Sequence, residues 1–182
     1  MLEAAGARAA MVAGVLLQHD RPHLIDSAGV AADETLLAWD YLFGEPVEHV
    51  DSAPPPLGPT GGAALYDRGS FEAAGGFDEH IFAYLEDVDL ALRLRLEGVG
   101  CRLAARARAA HRHSATLGSG SSAKNRLMGW SRGYLLRRYG ILREPRLAAR
   151  ALFVEAVITT GQVVVDRNAS GMRGRLDGWR AA

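Results

Sequence analysis

The pattern of apolar and polar positions predicts several short strands. Residues 10–17 form a short apolar run, which is typical of a buried strand and is supported by β-branched Val12 and Val15, and residues 24–30 predict a second short strand. Residues 60–66 predict another strand, which begins with small residues. Further along, 102–104 and 109–113 predict two short strands separated by a basic turn.

Helical periodicity occupies much of the remaining chain. A last helical stripe contains Leu147, Ala151, Val154, Ile158 and Val165. Together with the strands, this pattern predicts an α/β fold. The predicted helical segments are the end of a helix at 2–9, a short helix at 67–74, and longer helices at 86–97, 124–138 and 146–166.

Five carboxylates lie close together between the glycines at 75–76 and Gly98. The leucines at 90–96 alternate as in a strand, but Leu, Ala, Arg and Glu favour helix, and no β-branched residue follows Val88. The acids suit a helix N-terminus and Gly98 suits a helix end, so we predict a helix over 86–97. The carboxylates are those of Asp78, Glu79, Glu86, Asp87 and Asp89.

Helical spacing divides these carboxylates between two faces. Asp89, Arg93 and Glu97 stack at i, i+4 and i+8, which predicts a solvated, charge-paired face. Asp87 lies above Ala91 on an apolar face and should point inward. Burial there raises its pKa, whereas the helix dipole lowers it. Such a carboxylate can act as a general base, although the cluster can also simply cap the helix.

Charge is segregated along the chain although the formal net charge is zero. Residues 1–101 contain 5 Lys and Arg against 17 Asp and Glu, whereas residues 102–182 contain 16 against 4. The basic second half favours phosphate-bearing partners or an anionic membrane surface. It lacks aromatic-interleaved strands and any recognisable nucleic-acid-binding module, so we expect no nucleic-acid partner.

Composition predicts a folded protein of a reducing compartment. The 182 residues are 48% hydrophobic and 23% charged, which is enough for one domain with a core. Cys101 is the single cysteine and predicts a buried structural thiol. Residues 1–18 lack a basic n-region, and no stretch reaches about 18 uninterrupted apolar residues, so we expect neither a signal peptide nor a spanning helix.

Two further segments allow two interpretations each. The irregular, proline-containing region 31–59 is either a surface loop or a region that varies with acceptor specificity. The apolar stripe at 146–166, flanked by arginines, either packs on the protein or a partner or lies in the plane of a membrane. Glu155 and the Thr-Thr-Gly at 159–161 weaken a lipid-facing stripe.

Two histidines end the last predicted strand. His111 and His113 are two residues apart, so in a strand they point to opposite faces and only one can face a site. A histidine in such a position is either a metal ligand or a solvated or core side chain.

The segments 75–79 (GGFDE) and 84–90 (YLEDVDL) resemble a known signature. It is the GGFDE…Y.EDVDL..R pattern of family 2 inverting glycosyltransferases of the GT-A fold, and the rhamnosyltransferase-like branch is the most similar. The similarity extends upstream to 61–66 and downstream to 111–114, and it covers about 12–140.

The resemblance implies a partial GT-A, Rossmann-like domain at 1–140 and a helical amphipathic extension at 141–182. Members of this family begin with a nucleotide-binding half that carries a DxD metal motif, and no Asp-x-Asp precedes Asp87 here. We therefore expect the chain to be the C-terminal, acceptor-side portion of such an enzyme, through truncation, a split gene or an incomplete gene model.

The implied reaction is transfer of a sugar, with inversion, from a nucleotide-diphosphate donor to a hydroxyl of a saccharide or lipid-linked acceptor. The implied setting is cell-envelope polysaccharide or glycolipid synthesis, in the cytoplasm or at the inner face of the membrane. Asp87 would be the catalytic base, with Glu86 beside it. His111 would contact a divalent cation, Mn or Mg, held mainly by the missing half. The resemblance assigns substrate contacts to Gly61, Gly62, Asp89 and Ser114.

Three other interpretations stay open. The chain can be a non-catalytic fragment that needs a partner chain to bind the donor, which predicts weak nucleotide-sugar binding by this chain alone. It can be a membrane-associated scaffold that uses only the C-terminal helix. It can also be a metal-dependent hydrolase built on Glu86, Asp87, Asp89 and His111.

Overall fold

The computed structural model describes residues 10–113 and 116–182, which form two compact units. The first unit contains 10–32, 38–79 and 86–113 and is built on a mixed β-sheet. The second contains 33–37, 80–85 and 116–182 and is mainly helical. The protein is therefore mixed α/β, as predicted. The expected helix end at 2–9 and the predicted substrate residue Ser114 lie outside the described residues.

The strand β1 (Met11–Gln18) is the centre of the larger sheet. Strand β6 (Cys101–His111) pairs with it in parallel along its whole length. The other edge of β1 is shared by two antiparallel strands, β2 (Arg21–Ser27) at residues 16–18 and β5 (Ala64–Tyr66) at residues 11–13. The buried strand predicted at 10–17 is confirmed.

The two strands predicted at 102–104 and 109–113 are one strand instead. Ala13 of β1 pairs with Leu103, whereas Val15 pairs with Arg108, so β6 has three more residues than β1 between these pairs. This bulge contains the basic segment that suggested a turn. The Nε atom of Arg108 donates to the carbonyl of Ala105 within it, at 2.8 Å.

The strand predicted at 24–30 is divided. Strand β2 ends at Ser27, and Val30 begins β3 (Val30–Ala32), which pairs antiparallel with β4 (Ala38–Asp40) in a second, two-stranded sheet. Gly29 between them has φ +119°, a backbone conformation that breaks a strand and favours glycine. A Cβ at this position would lie 2.6 Å from the carbonyl oxygen of Gly58. The short 3₁₀ helix Val47–Ser52 follows in the proline-containing region.

Two helices complete the sheet unit. Helix α1 (Arg68–Ala73) begins after Asp67, whose side chain accepts from the N–H of Ser70, and it confirms the short helix predicted at 67–74. Helix α2 (Glu86–Leu96) confirms the helix predicted at 86–97. Its inner face packs on β1 and on Cys101 in one core cluster. Burial raises the pKa of Cys101 to about 11, so its thiol is structural, as predicted.

Three helices form most of the second unit. They are α3 (Ser122–Arg138), α4 (Pro145–Val164) and α5 (Ser170–Ala181). The first two confirm the helices predicted at 124–138 and 146–166. Helix α5 was not predicted, because its three glycines lower helix propensity and leave a weak apolar pattern.

Glycines bring α3 and α5 into backbone contact. Each of four glycines faces a carbonyl of the opposite helix so closely that a Cβ would overlap it. Spacing of four residues on both helices aligns these contacts on one face of each, as in packed helices that use small-xxx-small motifs. The pairs are Gly129 with Gly171, Gly133 with Arg175, Gly174 with Arg126, and Gly178 with Trp130.

Gly133→Ala is expected to lower the free energy of unfolding by about 1–3 kcal/mol, because the added methyl group forces the two helices apart. Gly161→Ala in α4 is the matched control, since no atom of the described residues lies within 4 Å of the position that its methyl group would take. Removing a helical glycine there should instead stabilise the protein by about 0.5–1 kcal/mol. Chemical denaturation measures both, and equal losses would contradict the packing described.

Candidate functional site

Asp87 lies in the first turn of α2, and its side chain points inward as predicted. The residue is only 9% exposed. Its Oδ2 accepts from the backbone N–H of Gly61 at 2.9 Å, and its Oδ1 accepts from the N–H of Val88 at 2.8 Å. Burial raises the pKa of Asp87, the two backbone hydrogen bonds oppose this, and the charge of Asp40 adds to the increase.

Gly61 and Gly62 form an exposed turn beside this carboxylate. The group that approaches this turn is the Asp87 carboxylate, which accepts from the backbone N–H of Gly61. A Cβ at Gly61 would lie 3.3 Å from Glu86 Oε1, and one at Gly62 would lie 3.0 Å from Leu16. The turn occupies 61–63, which shortens the strand predicted at 60–66 to β5. The Asp87 carboxylate is thus fixed by a loop that is itself open to solvent.

Glu86 and Tyr66 place two further polar atoms near Asp87. Burial raises the pKa of Glu86, and the neighbouring Asp87 charge raises it further. Burial also raises the pKa of Tyr66, together with the charges of Asp87, Cys101 and Glu86. Within the described part of the chain, neither Glu86 Oε2 nor the Tyr66 hydroxyl has a hydrogen-bond partner. We call Asp87, Glu86, Tyr66 and Gly61 the Asp87 site.

Asp89 does not lie on a solvated face, and that prediction is wrong. Its side chain is fully buried and forms an ion pair with Arg93 Nε at 2.8 Å. Arg93 also donates to the carbonyls of Ala74 and Gly76, so the loop before α2 covers this side of the helix. Glu97, one turn further, is exposed as predicted. The predicted substrate contact of Asp89 stays a prediction, and the contacts observed here are structural.

Asp26, His111 and His113 form a second group, which we call the histidine cluster. His111 Nδ1 lies 2.5 Å from Asp26 Oδ2, and His113 Nδ1 lies 3.4 Å from Asp26 Oδ1. The Asp26 carboxylate is buried, whereas both imidazoles are partly open to solvent. The three side chains offer ligand atoms that lie within 4.8 Å of one another, so they can hold a metal ion.

The expectation that only one of the two histidines faces a site is wrong. Alternation applies within a strand, but β6 ends at His111 and His113 lies in the turn that follows. The chain therefore turns both imidazoles toward Asp26. His111 is a member of the candidate metal group, as the resemblance implied, while its metal contact stays a prediction.

Asp40 connects the two groups electrostatically. Burial raises its pKa, a hydrogen bond with Ser27 lowers it, and the charges of His113, Asp26 and His111 also act on it. Its own negative charge raises the pKa of Asp87. Asp40 therefore lies within electrostatic range of both the histidine cluster and the Asp87 site.

An open cleft of about 640 Å³ adjoins the histidine cluster at His113. Three aromatic residues contribute to its lining, and Trp39 and Phe43 are more than half exposed. The ring of Phe43 meets that of His113 edge to face at 5.9 Å. We call this the aromatic cleft, and its lining residues are Trp39, Asp40, Tyr41, Leu42, Phe43, Glu45 and His113.

Sequence reasoning missed Asp26 and Asp40, and it assigned the metal contact to His111 without His113. Asp26 lies inside the segment 24–30, which the sequence pattern predicted as an ordinary short strand. The available signal was the coincidence of polar residues at strand ends: Asp26 near the end of β2, Asp40 at the end of β4 and His111 at the end of β6. The register of β2 and β6 on β1 was needed to show that two of these ends meet.

The hydrolase interpretation loses support from this arrangement. It required Glu86, Asp87, Asp89 and His111 in one metal site, but Asp89 is paired with Arg93. Among the described residues, the metal-competent group contains His111 with Asp26 and His113, and none of the α2 carboxylates.

Comparison with known proteins identifies no family for this chain. Neither a scan against protein-family models nor a search of curated proteins finds a match to the chain. Function is therefore inferred from the chemistry of the Asp87 site and of the histidine cluster.

Proposed function

We propose that this chain is the acceptor-side part of an inverting, GT-A-type glycosyltransferase and that Asp87 is its general base. The observation that carries the proposal is the placement of Asp87. A buried carboxylate, fixed by two backbone N–H groups and with a raised pKa, stands at an exposed glycine turn. The resemblance of 75–90 to the family 2 signature supports the same role.

The base chemistry follows from this environment. An acceptor hydroxyl loses its proton to Asp87 as its oxygen attacks the anomeric carbon of the donor, and the bond to the nucleoside diphosphate breaks on the opposite face. The N–H groups of Gly61 and Val88 hold the carboxylate in one orientation. Burial and the charge of Asp87 raise the pKa of Glu86, which places a second carboxyl group beside the base.

The histidine cluster fits a divalent transition metal. One buried carboxylate and two imidazoles supply mixed oxygen and nitrogen ligands, a set that suits Mn²⁺ or Zn²⁺ better than Mg²⁺, which prefers oxygen. Asp26, His111 and His113 would hold the ion. When bound, such an ion supplies positive charge that stabilises a departing diphosphate.

The metal assignment predicts specific losses of affinity. Titration calorimetry with MnCl₂ and ZnCl₂ should show one saturable site, and His113→Ala should weaken it at least tenfold, since loss of a residue that only supports a metal ligand already costs about 10–100-fold. His49→Ala is the matched control, because His49 is an exposed histidine paired with Glu45 outside the cluster. Equal affinity for the two variants would contradict the assignment.

The aromatic cleft is the proposed place of the sugar acceptor. Exposed aromatic rings offer apolar faces, and Asp40 and Glu45 offer hydrogen-bond acceptors for hydroxyls. The cleft lies in the irregular region 31–59, for which one interpretation was a role in acceptor specificity. The acceptor would be a saccharide, free or linked to lipid.

The test measures nucleoside diphosphate released from UDP-, dTDP- and GDP-sugars with Mn²⁺ and a panel of saccharide and lipid-linked acceptors. The chain is assayed alone and after reconstitution with a nucleotide-binding partner chain. Acceptor-dependent release in either arm supports the proposal, and release only in the reconstituted arm identifies the chain as a fragment of the enzyme. Absence of acceptor-dependent release in both arms would overturn it.

A further inference from the structure

Helix α4 directs two polar side chains, Glu155 and Gln162, toward the other helices of its unit. Glu155, in the middle of the helix, accepts from Arg132 Nε of α3 at 2.6 Å and from Arg175 Nε of α5, and all three side chains are largely buried. Gln162, two turns further along the same face, accepts from Arg175 Nη1. The inner face of α4 is thus held by an ion-pair network, with Ala151 as its buried apolar residue.

The outer face of α4 is apolar. Phe153 is 70% exposed and Val164 is 68% exposed. Most exposed positions recur at the spacing of one helix face, on which Thr160 is polar, and the exposed Arg150 lies at the edge of this face and pairs with Asp33. The set is Ala149, Leu152, Phe153, Ala156, Val157, Thr160, Val163 and Val164, which we call the outer face. This arrangement reverses that of a soluble surface helix, whose apolar side normally faces the core.

The ends of the outer face are basic. Arg143 and Arg146 are exposed at its N-terminal end, and Arg167 and Arg173 are exposed beyond its C-terminal end. From Ser122 to Ala181 the chain has 12 Lys and Arg against 4 Asp and Glu, a net charge of +8. Long arginine side chains can keep their charge in the headgroup region while a neighbouring apolar face is buried.

We propose that the outer face of α4 binds the surface of a bilayer containing anionic lipid, with the helix lying in the membrane plane. A helix of 20 residues is about 30 Å long, so the outer face offers a continuous apolar strip of that length. Burial of such a strip, together with attraction of arginines to anionic headgroups, is the pattern of an interfacial helix.

Charge favours a membrane over a second copy of the chain. Because both ends of the outer face are basic, two copies paired through it bring arginines against arginines in either the parallel or the antiparallel arrangement. An anionic lipid surface is complementary at both ends. The membrane interpretation, left open on the sequence, therefore gains support over self-association.

The ion-pair network favours an in-plane helix over a spanning one. By length and composition, Pro145–Val164 is long and apolar enough to cross a membrane, with a mean hydropathy of 1.4. Crossing would carry Glu155 and its two arginines toward the centre of the hydrocarbon, where charged groups are costly. Lying in the plane leaves that network on the protein side.

Flotation of the full chain with vesicles tests the proposal. The chain should bind vesicles of phosphatidylcholine mixed with phosphatidylglycerol, should bind pure phosphatidylcholine far less, and should be released by salt and by alkaline carbonate. Phe153→Asp combined with Val157→Asp should weaken binding at least tenfold, because two apolar side chains that the bilayer would bury are replaced by charged ones. Both residues are exposed, so the fold should survive, which circular dichroism checks.

Two control variants, Leu96→Asp and Arg68→Glu, distinguish loss of the outer face from a general effect of added negative charge. Leu96→Asp changes an equally exposed leucine of α2 and should leave vesicle binding unchanged. Arg146→Glu should weaken binding roughly tenfold, whereas Arg68→Glu, an equal charge change at an exposed arginine of α1, should not. These readouts do not depend on glycosyl transfer.

Three results would overturn the proposal. The first is wild-type chain that does not float with anionic vesicles. The second is binding that resists alkaline carbonate, which would indicate a spanning helix. The third is a dimer seen by analytical ultracentrifugation that the Phe153→Asp, Val157→Asp variant abolishes while vesicle binding persists unchanged, which would assign the outer face to a second copy.

Discussion

Asp87→Asn is expected to lower turnover by about 10²–10⁴-fold, the usual cost of losing a positioned general base. Asparagine keeps the size of the side chain, and its amide oxygen can still accept the N–H of Gly61. Basicity is lost together with the hydrogen bond from the N–H of Val88, but neither involves the donor, so the affinity for the nucleotide-sugar should barely change. Turnover and donor affinity are measured together in the active, reconstituted enzyme.

The pH profile provides an independent check. A base works only when ionised, so activity should fall as the pH decreases through the pKa of Asp87. Because burial raises that pKa, this acidic limb should lie above the ordinary aspartate value of 3.8. The limb should disappear in Asp87→Asn. Near-normal turnover of that variant would indicate that the Asp87 carboxylate only caps the helix.

His111→Ala should give the opposite result. If the histidine cluster binds the cation, this variant should lose metal-dependent donor binding more than the chemical step itself. A manganese titration of donor affinity for both variants distinguishes base from metal ligand. Loss of donor binding in Asp87→Asn would contradict its assignment as the base and indicate a role in donor binding.

Asp89→Asn is expected to lower the free energy of unfolding by about 3 kcal/mol, the lower end of the range for removing one partner of a buried ion pair. The variant leaves the guanidinium of Arg93 largely buried and without its carboxylate. It also loosens the attachment of Ala74 and Gly76 to α2, since Arg93 holds both carbonyls. Chemical denaturation measures the loss.

Glu97→Gln is the matched control for this effect. Glu97 follows the same helix, is exposed, and was predicted to share a face with Asp89. Its replacement should change the free energy of unfolding by less than about 0.5 kcal/mol. Similar small changes in the free energy of unfolding of both variants would instead support the solvated face that the sequence pattern predicted.

The local features of α2 could be predicted because they depend on neighbours in the chain. Helix propensity, the acidic first turn and the Gly98 end determine where it begins and ends, and the position of Asp87 above Ala91 follows from helical spacing. The environment of Asp89 could not be predicted in this way. Its face is covered by the preceding loop through Arg93, a contact that depends on tertiary structure.

The histidine cluster shows the same limit at longer range. Asp26 and His111 are 85 residues apart, and they meet because β2 and β6 both pair with the same end of β1. The presence of strands was predictable there, but their register was not. The bulge in β6 changes which residue of β1 each residue after Leu103 pairs with. His113 joined the cluster only because β6 stops two residues earlier.

The pairing of β1 with β6 also has a consequence for biosynthesis. Met11 pairs with Cys101, ninety residues further along the chain, so the central strand cannot complete its sheet until β6 has left the ribosome. Contacts of such large sequence separation close slowly, whereas the helices after Ser122 form from local contacts. The apolar run Met11–Gln18 therefore stays unpaired on one edge through much of synthesis, a stage at which a chaperone would be most useful.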